Sequence, residues 1–464
     1  MTPYDLIIVG AGPSGIFTAL ETKRKYPTAN ILMLEKGNAI LKRKCPKRLN
    51  GACVNCQPCN IITGFSGAGA FSDGKLNTNE QGEIGGNLIK YIGADKFKEL
   101  WEYTDQIYLD FGAEDKVFGI DKKKELKLIK KKAIQSNLKL IESKIRHLGT
   151  EKAYEIYAKL ESHLKELGVE MLFRTPVIDL IIENNKIIGV KTNQKDFYAP
   201  KIVIGVGRDG SDWLNTMCDK YNIDKEVGTI DIGVRIECDS SITKTIDDIA
   251  YESKLIYFTN TFDDKVRTFC WNPRGEVTEE RYDNNLALAN GHSYNDEKLK
   301  TNKTNLALLV SLNFTEPFKT PIEYGKHIAS LANMLSGNKV LVQRYGDFKR
   351  GRRTTHERLL RNNTKPTLKD AVPGDLSLVL PYRIMLDITE TIEALDNIIE
   401  GFASDGTLLY GVEVKFYSNI VKVSNNFETN IKNLHVLGDG AGITRGLIQA
   451  SMNGVAFARD LTLD

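Results

Sequence analysis

Short apolar runs rich in β-branched residues alternate with amphipathic stretches along the chain, most clearly over residues 4–36. Residues 4–9 form a continuous apolar run typical of a buried parallel strand. Helical patterning follows over residues 16–25, and residues 31–34 form a second apolar run. This order predicts a βαβ unit at the start of the chain.

The same patterning continues through the rest of the chain. Residues 87–167 are patterned mostly as helix, with an amphipathic run over 151–167 and Thr150 as its N-cap. A strand, a turn and a strand are predicted over 177–183 and 186–192. Further strands are predicted at 201–207, 230–237, 255–258, 306–312 and the start of 434–442, and a last helix at 446–459.

Glycines after the first strand form a dinucleotide-binding fingerprint. Gly10 permits a tight turn, Gly12 lets the backbone approach a pyrophosphate, and Gly15 lets the helix pack closely on the strand. The N-terminus of the helix offers free N–H groups and a positive dipole end to the phosphates. Glu35 ends the second strand, where a carboxylate accepts hydrogen bonds from an adenosine ribose. The chain is therefore predicted to bind an adenine dinucleotide.

Composition limits the other classes of function. The 464 residues are 41% hydrophobic and 27% charged, which is typical of a globular protein with two or three subdomains. No apolar run is long enough for a membrane span, and the N-terminus runs directly into a strand, so a cytoplasmic location is expected. A net charge of +3 argues against nucleic acid as the main partner.

Four cysteines lie close together near the N-terminus: Cys45, Cys53, Cys56 and Cys59. The C-x-x-C-x-x-C spacing with a more distant Cys-Pro is similar to ferredoxin loops, although here the Cys-Pro comes first. A [4Fe–4S] cluster is the favoured interpretation. Zinc, a redox-active dithiol and free thiols are the alternatives.

Three segments, at residues 10–35, 202–207 and 436–439, resemble the FAD-binding flavoprotein superfamily of the glutathione reductase type. The resemblance implies that the first segment holds the ADP half of FAD. It also implies that Asp439 binds the ribityl and pyrophosphate portion, and that the last helix directs its N-terminus at the flavin.

Residues 64–76, with the sequence GFSGAGAFSDGKL, look like the signature of a bacterial family of uncharacterised FAD-dependent dehydrogenases. Residues 147–150, 411–414 and 438–442 also look like that family. Against a flavin, Lys75 would stabilise negative charge on the ring, and Ser72 and Asp73 would place a proton donor near N5. The two resemblances imply cofactor contacts from Gly10, Gly12, Pro13, Ser14, Gly15, Glu35, Lys36, Gly67, Ala68, Gly69, Val177, Gly205, Gly207, Gly438, Asp439, Gly440, Gly446 and Leu447.

The predicted fold class is α/β, with a discontinuous Rossmann-like FAD-binding domain, a helical insertion and an inserted α+β substrate domain. The predicted FAD-binding parts are residues 1–86, which include the cysteine-rich loop, 168–215 and 401–464, with the helical insertion at 87–167 and the substrate domain at 216–400.

A basic segment at residues 343–361 supplies candidate substrate groups. Arg353, together with Arg344, Arg350 and Arg352, would clamp a carboxylate or phosphate. His356 is a candidate acid or base, and Glu413 is a candidate group facing the flavin. The alternative interpretations are a solvated basic loop, and a cross-strand ion pair between Glu413 and Lys415.

These observations predict an FAD-dependent oxidoreductase that moves a hydride or electrons between flavin and a small organic substrate. Reduction of an activated C=C bond, or its reverse, is the favoured chemistry. Ferredoxin or NAD(P)H is the expected electron donor, and an adjacent iron–sulfur cluster would take part. The alternatives are a flavin-dependent enzyme acting on RNA or another macromolecule, and a flavin-bearing redox sensor or electron carrier.

Overall fold

The computed structural model describes residues 4–46, 54, 56–71, 74–79, 84–119, 122–226, 228–249, 253–282, 286–294, 297–315, 317–318, 320–416 and 419–463. The chain forms two compact units. Unit 1 comprises Met1–Val117, Lys144–Gly228 and Ser418–Asp464, and unit 2 comprises Phe118–Ser143 and Thr229–Tyr417.

The strands of the described chain are β1 (Leu6–Val9), β2 (Ile31–Glu35), β3 (Lys75–Thr78), β4 (Val117–Phe118), β5 (Leu138–Ile141), β6 (Lys144–His147), β7 (Glu170–Phe173), β8 (Val177–Glu183), β9 (Lys186–Thr192), β10 (Asp196–Tyr198), β11 (Ile202–Ile204), β12 (Lys225–Glu226), β13 (Ile230–Asp239), β14 (Lys254–Phe258), β15 (Lys265–Asn272), β16 (Glu276–Tyr282), β17 (Leu286–His292), β18 (Lys303–Leu312), β19 (Leu341–Arg344), β20 (Val372–Pro373), β21 (Leu408–Phe416), β22 (Ile420–Val421) and β23 (Leu434–Val436).

The helices are α1 (Pro13–Lys25), α2 (Ile89–Ile92), α3 (Ala94–Asp110), α4 (Lys123–Gln135), α5 (Thr150–Glu166), α6 (Ser211–Tyr221), α7 (Ser240–Asp247), α8 (Pro321–Ser336), α9 (Tyr345–Lys349), α10 (His356–Leu360), α11 (Tyr382–Asp396) and α12 (Leu447–Asp460).

Unit 1 is built on a five-stranded parallel sheet in the order β23-β11-β1-β2-β7. All of β1, β2, β11 and β23 is buried, which explains why these strands read as continuous apolar runs. Helices α1 and α12 pack against each other within this unit. The strand order reverses beside β1, so the carboxyl ends of β1 and β11 form a topological switch point, the usual ligand position in such sheets.

Unit 2 is built on an eight-stranded sheet in the order β20-β19-β21-β13-β18-β15-β14-β5. Alternate residues of β13 face opposite sides of this sheet. Ile232 and Val234 belong to the apolar core that also contains Ile388 of α11. The residues that alternate with these along β13 include Arg235, whose side chain is fully buried on the other, polar face.

The predicted α/β class and the first βαβ unit are confirmed. Helix α1 begins at Pro13 rather than residue 16, because proline at the first helical position suits the backbone of a helix start. The mostly helical prediction for residues 87–167 is wrong in part, since strands β4, β5 and β6 lie within it. Thr150 is the first helical residue, and Gly149 occupies the N-cap position assigned to it.

The five segments of the predicted domain organisation do not coincide with the two units. Residues 118–143 of the predicted helical insertion fall in unit 2, and so do residues 401–417 of the last predicted segment. The reason is that β5 pairs with β14, and β21 pairs with β13, in the sheet of unit 2. Among the described residues, no helix is long and apolar enough to cross a membrane.

Candidate functional site

The glycine segments of unit 1 meet at the carboxyl end of its parallel sheet. The Gly205 N–H donates to the Val9 carbonyl at 2.8 Å, which joins the ends of β11 and β1. The Ser66 N–H donates to the Ala11 carbonyl at 2.7 Å, which brings the predicted flavin loop onto the fingerprint loop. Two segments far from the fingerprint in sequence therefore share its edge of the sheet.

Ser14 connects the fingerprint to the last glycine segment. Its hydroxyl oxygen lies 2.8 Å from the position that a Cβ would take on Gly205 and 2.9 Å from that on Gly438. In the same way, a Cβ on Gly440 would stand 2.5 Å from the Gly207 carbonyl oxygen. Side chains at these positions would collide with their neighbours, so the predicted segments form one glycine-lined surface.

Two glycines of this surface, Gly12 and Gly207, have open space where a side chain would be. A Cβ on Gly12 would have its nearest neighbour, the Gly205 carbonyl oxygen, at 3.9 Å, and one on Gly207 would meet no described atom within 4 Å. Gly12 is also the N-cap of α1, and no side chain in the described chain caps that helix. Pro13, at the first helical position, has no N–H to satisfy. The uncapped helix start and the open space beside Gly12 and Gly207 fit an anionic group such as a pyrophosphate.

A second helix begins beside the predicted flavin loop. Gly446 is the N-cap of α12, and within the described residues no side chain caps it and no acid lies in its first turn. The Leu447 side chain would lie 3.1 Å from a Cβ on Gly69. The positive end of α12 is therefore next to the loop that contains Gly67, Ala68 and Gly69.

Asn453 carries an unpaired donor at this site. Its side-chain oxygen accepts a hydrogen bond from the Gly438 N–H at 2.8 Å. Its side-chain nitrogen is buried and has no hydrogen-bond partner among the described residues. A buried donor without a partner is costly, so this nitrogen fits an acceptor on a bound ligand. The glycine surface, the two uncapped helices and this amide all fit a dinucleotide.

Glu35 lies beside the fingerprint loop. Its two carboxylate oxygens accept backbone N–H groups from Ala11 at 2.9 Å and Gly37 at 2.8 Å, and the residue is only 7% exposed. Each oxygen keeps a further lone pair for a ribose hydroxyl. The Glu35 carbonyl accepts from Thr175 at 2.9 Å, which places the half-buried Val177 shortly after this contact.

Two other predicted cofactor residues have protein partners. The Asp439 carboxylate accepts from the Thr444 hydroxyl at 2.6 Å and lies 3.6 Å from the Arg208 side chain. Lys36 forms a 2.5 Å ion pair with Asp209. Asp439 is thus held at the glycine surface, whereas the Lys36 amine is paired with the Asp209 carboxylate.

Arg43 organises the loop that carries the predicted flavin contacts. Its side chain is buried and donates to the carbonyls of Asn60, Ile61 and Phe65 and to the Ser66 hydroxyl. Burial lowers the pKa of Arg43 to about 10, and the Glu35 charge opposes that shift. The sequence did not single out this arginine, because its partners are mostly backbone carbonyls, which no motif reveals.

The predicted catalytic residues divide between the units. Lys75 opens β3 in unit 1, paired with His147 of β6, and Ser72 and Asp73 lie outside the described residues. Arg353 and His356 are exposed in unit 2. Their catalytic roles remain predictions.

Glu413 of unit 2 is fully buried in an ion pair. Its two oxygens accept from the Arg235 guanidinium at 2.8 Å each, and Lys415 lies 3.0 Å away. Burial alone would raise the pKa of Glu413, but the charges of Arg235 and Lys415 outweigh it and lower that pKa. The alternative of a cross-strand pair between Glu413 and Lys415 is wrong in form, because both residues lie on β21 and pair within one strand, whereas the cross-strand partner of Glu413 is Arg235 of β13.

The cysteine cluster is only partly described. Cys45 and Cys56 are half-buried free thiols and Cys59 is an exposed one, whereas Cys53 lies outside the described residues. No group of three histidine, cysteine or acidic side chains within the described chain is placed to hold a metal. The iron–sulfur cluster therefore receives no support here and stays a prediction.

A chain of buried hydroxyls lies behind the flavin loop. The Tyr108 hydroxyl is 2.9 Å from that of Tyr157 and 2.8 Å from that of Ser451 on α12. The Tyr157 hydroxyl would lie 3.1 Å from a Cβ on Gly69, so the chain supports that glycine. Burial raises the pKa of Tyr108 to about 12, which keeps its hydroxyl protonated. Gln449, Ser451 and Asn453, the polar residues within the mostly apolar stretch 447–458 of α12, were the sequence signal for such contacts.

Comparison with known proteins gives one family match. Residues 229–416, nearly all of the second part of unit 2, match the family described as FAD-dependent protein, C-terminal domain-like. The chain is 26% identical over 484 aligned positions to an uncharacterized protein of Clostridium beijerinckii, covering 98% of this chain and 80% of that protein. A local match of 35 residues, 51% identical, covers 8% of this chain and 7% of a probable NADPH:adrenodoxin oxidoreductase of Dictyostelium discoideum.

Solved structures with similar chain paths include an L-proline dehydrogenase of P. horikoshii, with 12% identity and a TM-score of 0.37. That comparison covers 98% of this chain and 92% of the other. A glycine oxidase of Geobacillus kaustophilus shows 10% identity and a TM-score of 0.39, covering 99% and 94%. The family match, together with the glycine surface of unit 1, supports an FAD-dependent oxidoreductase.

Proposed function

We propose that the chain is an FAD-dependent oxidoreductase of the glutathione-reductase-type superfamily that binds FAD on unit 1. Gly10, Gly12 and the start of α1 would hold the pyrophosphate, and Glu35 would hold the adenosine ribose. Asp439 and the start of α12 would hold the ribityl and flavin end. The observation that carries this proposal is the meeting of separate glycine segments and two uncapped helix starts at one edge of the sheet.

When bound, FAD supplies an acceptor or donor for a hydride. The Arg43-braced loop and the buried tyrosines would hold the Gly67–Gly69 backbone rigid beside it, since their hydrogen bonds fix that loop. A small organic substrate, with reduction or formation of a C=C bond, remains the proposed reaction. Ferredoxin or NAD(P)H remains the proposed electron donor.

An absorption spectrum of anaerobically purified protein tests the proposal, with iron, zinc and acid-labile sulfide assayed on the same sample. Flavin bands with about one FAD per chain are expected. A protein that neither contains nor takes up FAD would overturn the proposal. Stoichiometric iron and sulfide would support the predicted iron–sulfur cluster beside the flavin. Their absence would exclude the cluster and leave the proposal of a flavin enzyme intact.

A further inference from the structure

Unit 2 contains a cavity that shares no lining residue with the glycine surface of unit 1. It has a volume of about 500 Å³, within the range of small-molecule sites. Most of its lining residues have polar side chains, among them Arg344, Arg361, Thr364 and Ser404, and Ile242 is an apolar contact. A cavity of this size and polarity suits a polar metabolite better than an apolar one.

Arg344 is fixed in place at this cavity. Its side chain donates to the Asn362 side-chain oxygen at 2.9 Å. Asn362, itself 4% exposed, donates to the carbonyls of Thr364 and Gly406 at 2.9 and 2.8 Å, which joins the two loops that form the cavity. A guanidinium held by a buried amide is preorganised for an incoming ligand.

The cavity has two carboxylates, and both are already paired. Asp239 accepts from Lys303 at 2.7 Å and caps α7 through Ser241. Asp405 accepts from Arg350 at 2.8 Å. Arg361, in contrast, forms no ion pair with any residue in the described ranges.

Arg344 is 3.5 Å from Asp347, but that carboxylate is held more closely by Arg352, at 2.7 Å. Because Asp239 and Asp405 are already paired with other cations, the guanidinium groups of Arg344 and Arg361 give the cavity a net positive charge. Two guanidinium groups, each a planar fork of donors, match the oxygens of a phosphate.

We propose that this cavity binds a small phosphate monoester with a polar, hydroxyl-bearing remainder. Arg344 and Arg361 bind the phosphate, and the side chains of Asn363, Thr364 and Ser404 face the remainder. The volume of about 500 Å³ suits a small molecule rather than the extended backbone of a nucleic acid. Every lining residue belongs to unit 2, so the cavity shares no residue with the glycine surface of unit 1.

Titration calorimetry of the purified full-length protein, with its FAD content measured, tests the proposal. The probes are ribose 5-phosphate, ribose, inorganic phosphate and a single-stranded RNA of defined sequence. Ribose 5-phosphate is expected to bind at least tenfold more tightly than ribose, and more weakly as salt is raised. Arg361→Gln is expected to weaken that binding at least tenfold, as is Arg344→Gln.

Arg274→Gln is the matched control, since it removes an arginine from an exposed ion pair with Glu297 outside the cavity lining. Arg361 is exposed and unpaired in the described chain, so its variant keeps the test valid if Arg344→Gln does not fold. Failure to bind ribose 5-phosphate, or equal binding by Arg361→Gln and Arg274→Gln, would overturn the proposal. Tighter binding of RNA that depends on Arg361 would replace it with a nucleic-acid site.

Discussion

The Asn453 side-chain oxygen accepts the backbone N–H of Gly438 at 2.8 Å, which ties the middle of α12 to the last glycine loop. The sequence predicted Gly438 in a loop and Asn453 in the last helix, but it predicted no contact between them. Because the contact is buried, it determines where the loop can stand relative to the helix.

Asn453→Ala is expected to destabilise the protein by about 1–3 kcal/mol, because it leaves a buried N–H without an acceptor. FAD affinity should fall as well, since the Gly438–Asp439 loop loses its anchor. Urea unfolding and flavin fluorescence titration measure the two effects. Asn397→Ala, at an exposed position after α11, is the control and should change neither. Unchanged flavin affinity in a folded Asn453→Ala protein would contradict the assigned role.

Gly12→Ala separates ligand binding from folding. Gly12 has a φ of −78°, and an added Cβ would be 3.9 Å from its nearest neighbour, so the FAD-free protein should keep its Tm. The methyl group would occupy the space proposed for the pyrophosphate, and FAD affinity should fall at least tenfold. Gly15→Ala is the contrasting variant, because its Cβ would stand 2.1 Å from the Gly10 carbonyl oxygen and should disrupt the fold. Normal FAD affinity in Gly12→Ala would place the pyrophosphate elsewhere.

Local sequence patterns predicted the fingerprint because strand, glycines, helix and acid all fall within residues 4–35. The junction at Ser14 was beyond such reasoning, since it joins residues more than 190 positions apart through contacts with Gly205 and Gly438. The register of each strand decides such contacts, and periodicity does not reveal it.

In unit 2, too, strand pairing could not be predicted from local patterns. Residues 138–141 were included in the mostly helical region 87–167, which also holds the amphipathic run 151–167. They form β5 because β14 offers an edge to pair with, and tertiary pairing overrides local propensity. Glu413 was visible as a charged residue in a strand, but its partner Arg235 is remote in sequence.

Glu413→Gln is expected to destabilise unit 2 by about 3–5 kcal/mol, because it leaves Arg235 buried without its carboxylate partner. Urea unfolding at pH 7 measures this. Glu297→Gln, which breaks an exposed ion pair, should cost only about 0–1 kcal/mol. A Glu413→Gln protein of normal stability that loses turnover would instead favour the predicted catalytic role.

Asp387 should make the stability of unit 2 fall as pH rises, whereas a carboxylate paired with a cation makes stability rise with pH. Burial raises the pKa of Asp387 to about 7, and the nearby Asp264 carboxylate adds to the rise, while Arg383 opposes it. The unfolded chain releases this proton near pH 4, so the folded state binds more protons between about pH 4 and 7. Stability should therefore fall as pH rises through that range and level off above pH 7.

Asp387→Asn removes this titration and should be more stable than the parent at pH 8, by about 2–4 kcal/mol, with little difference near pH 4. Thermal unfolding of both proteins at one-unit pH steps from 4 to 8 measures the difference. Asp370→Asn, at an exposed position, should keep the parent's pH profile. Parallel profiles for the parent and Asp387→Asn would show that the Asp387 carboxyl titrates normally in the folded protein. That result would mean that water or a further cation reaches it, because burial without a charge partner favours the neutral acid.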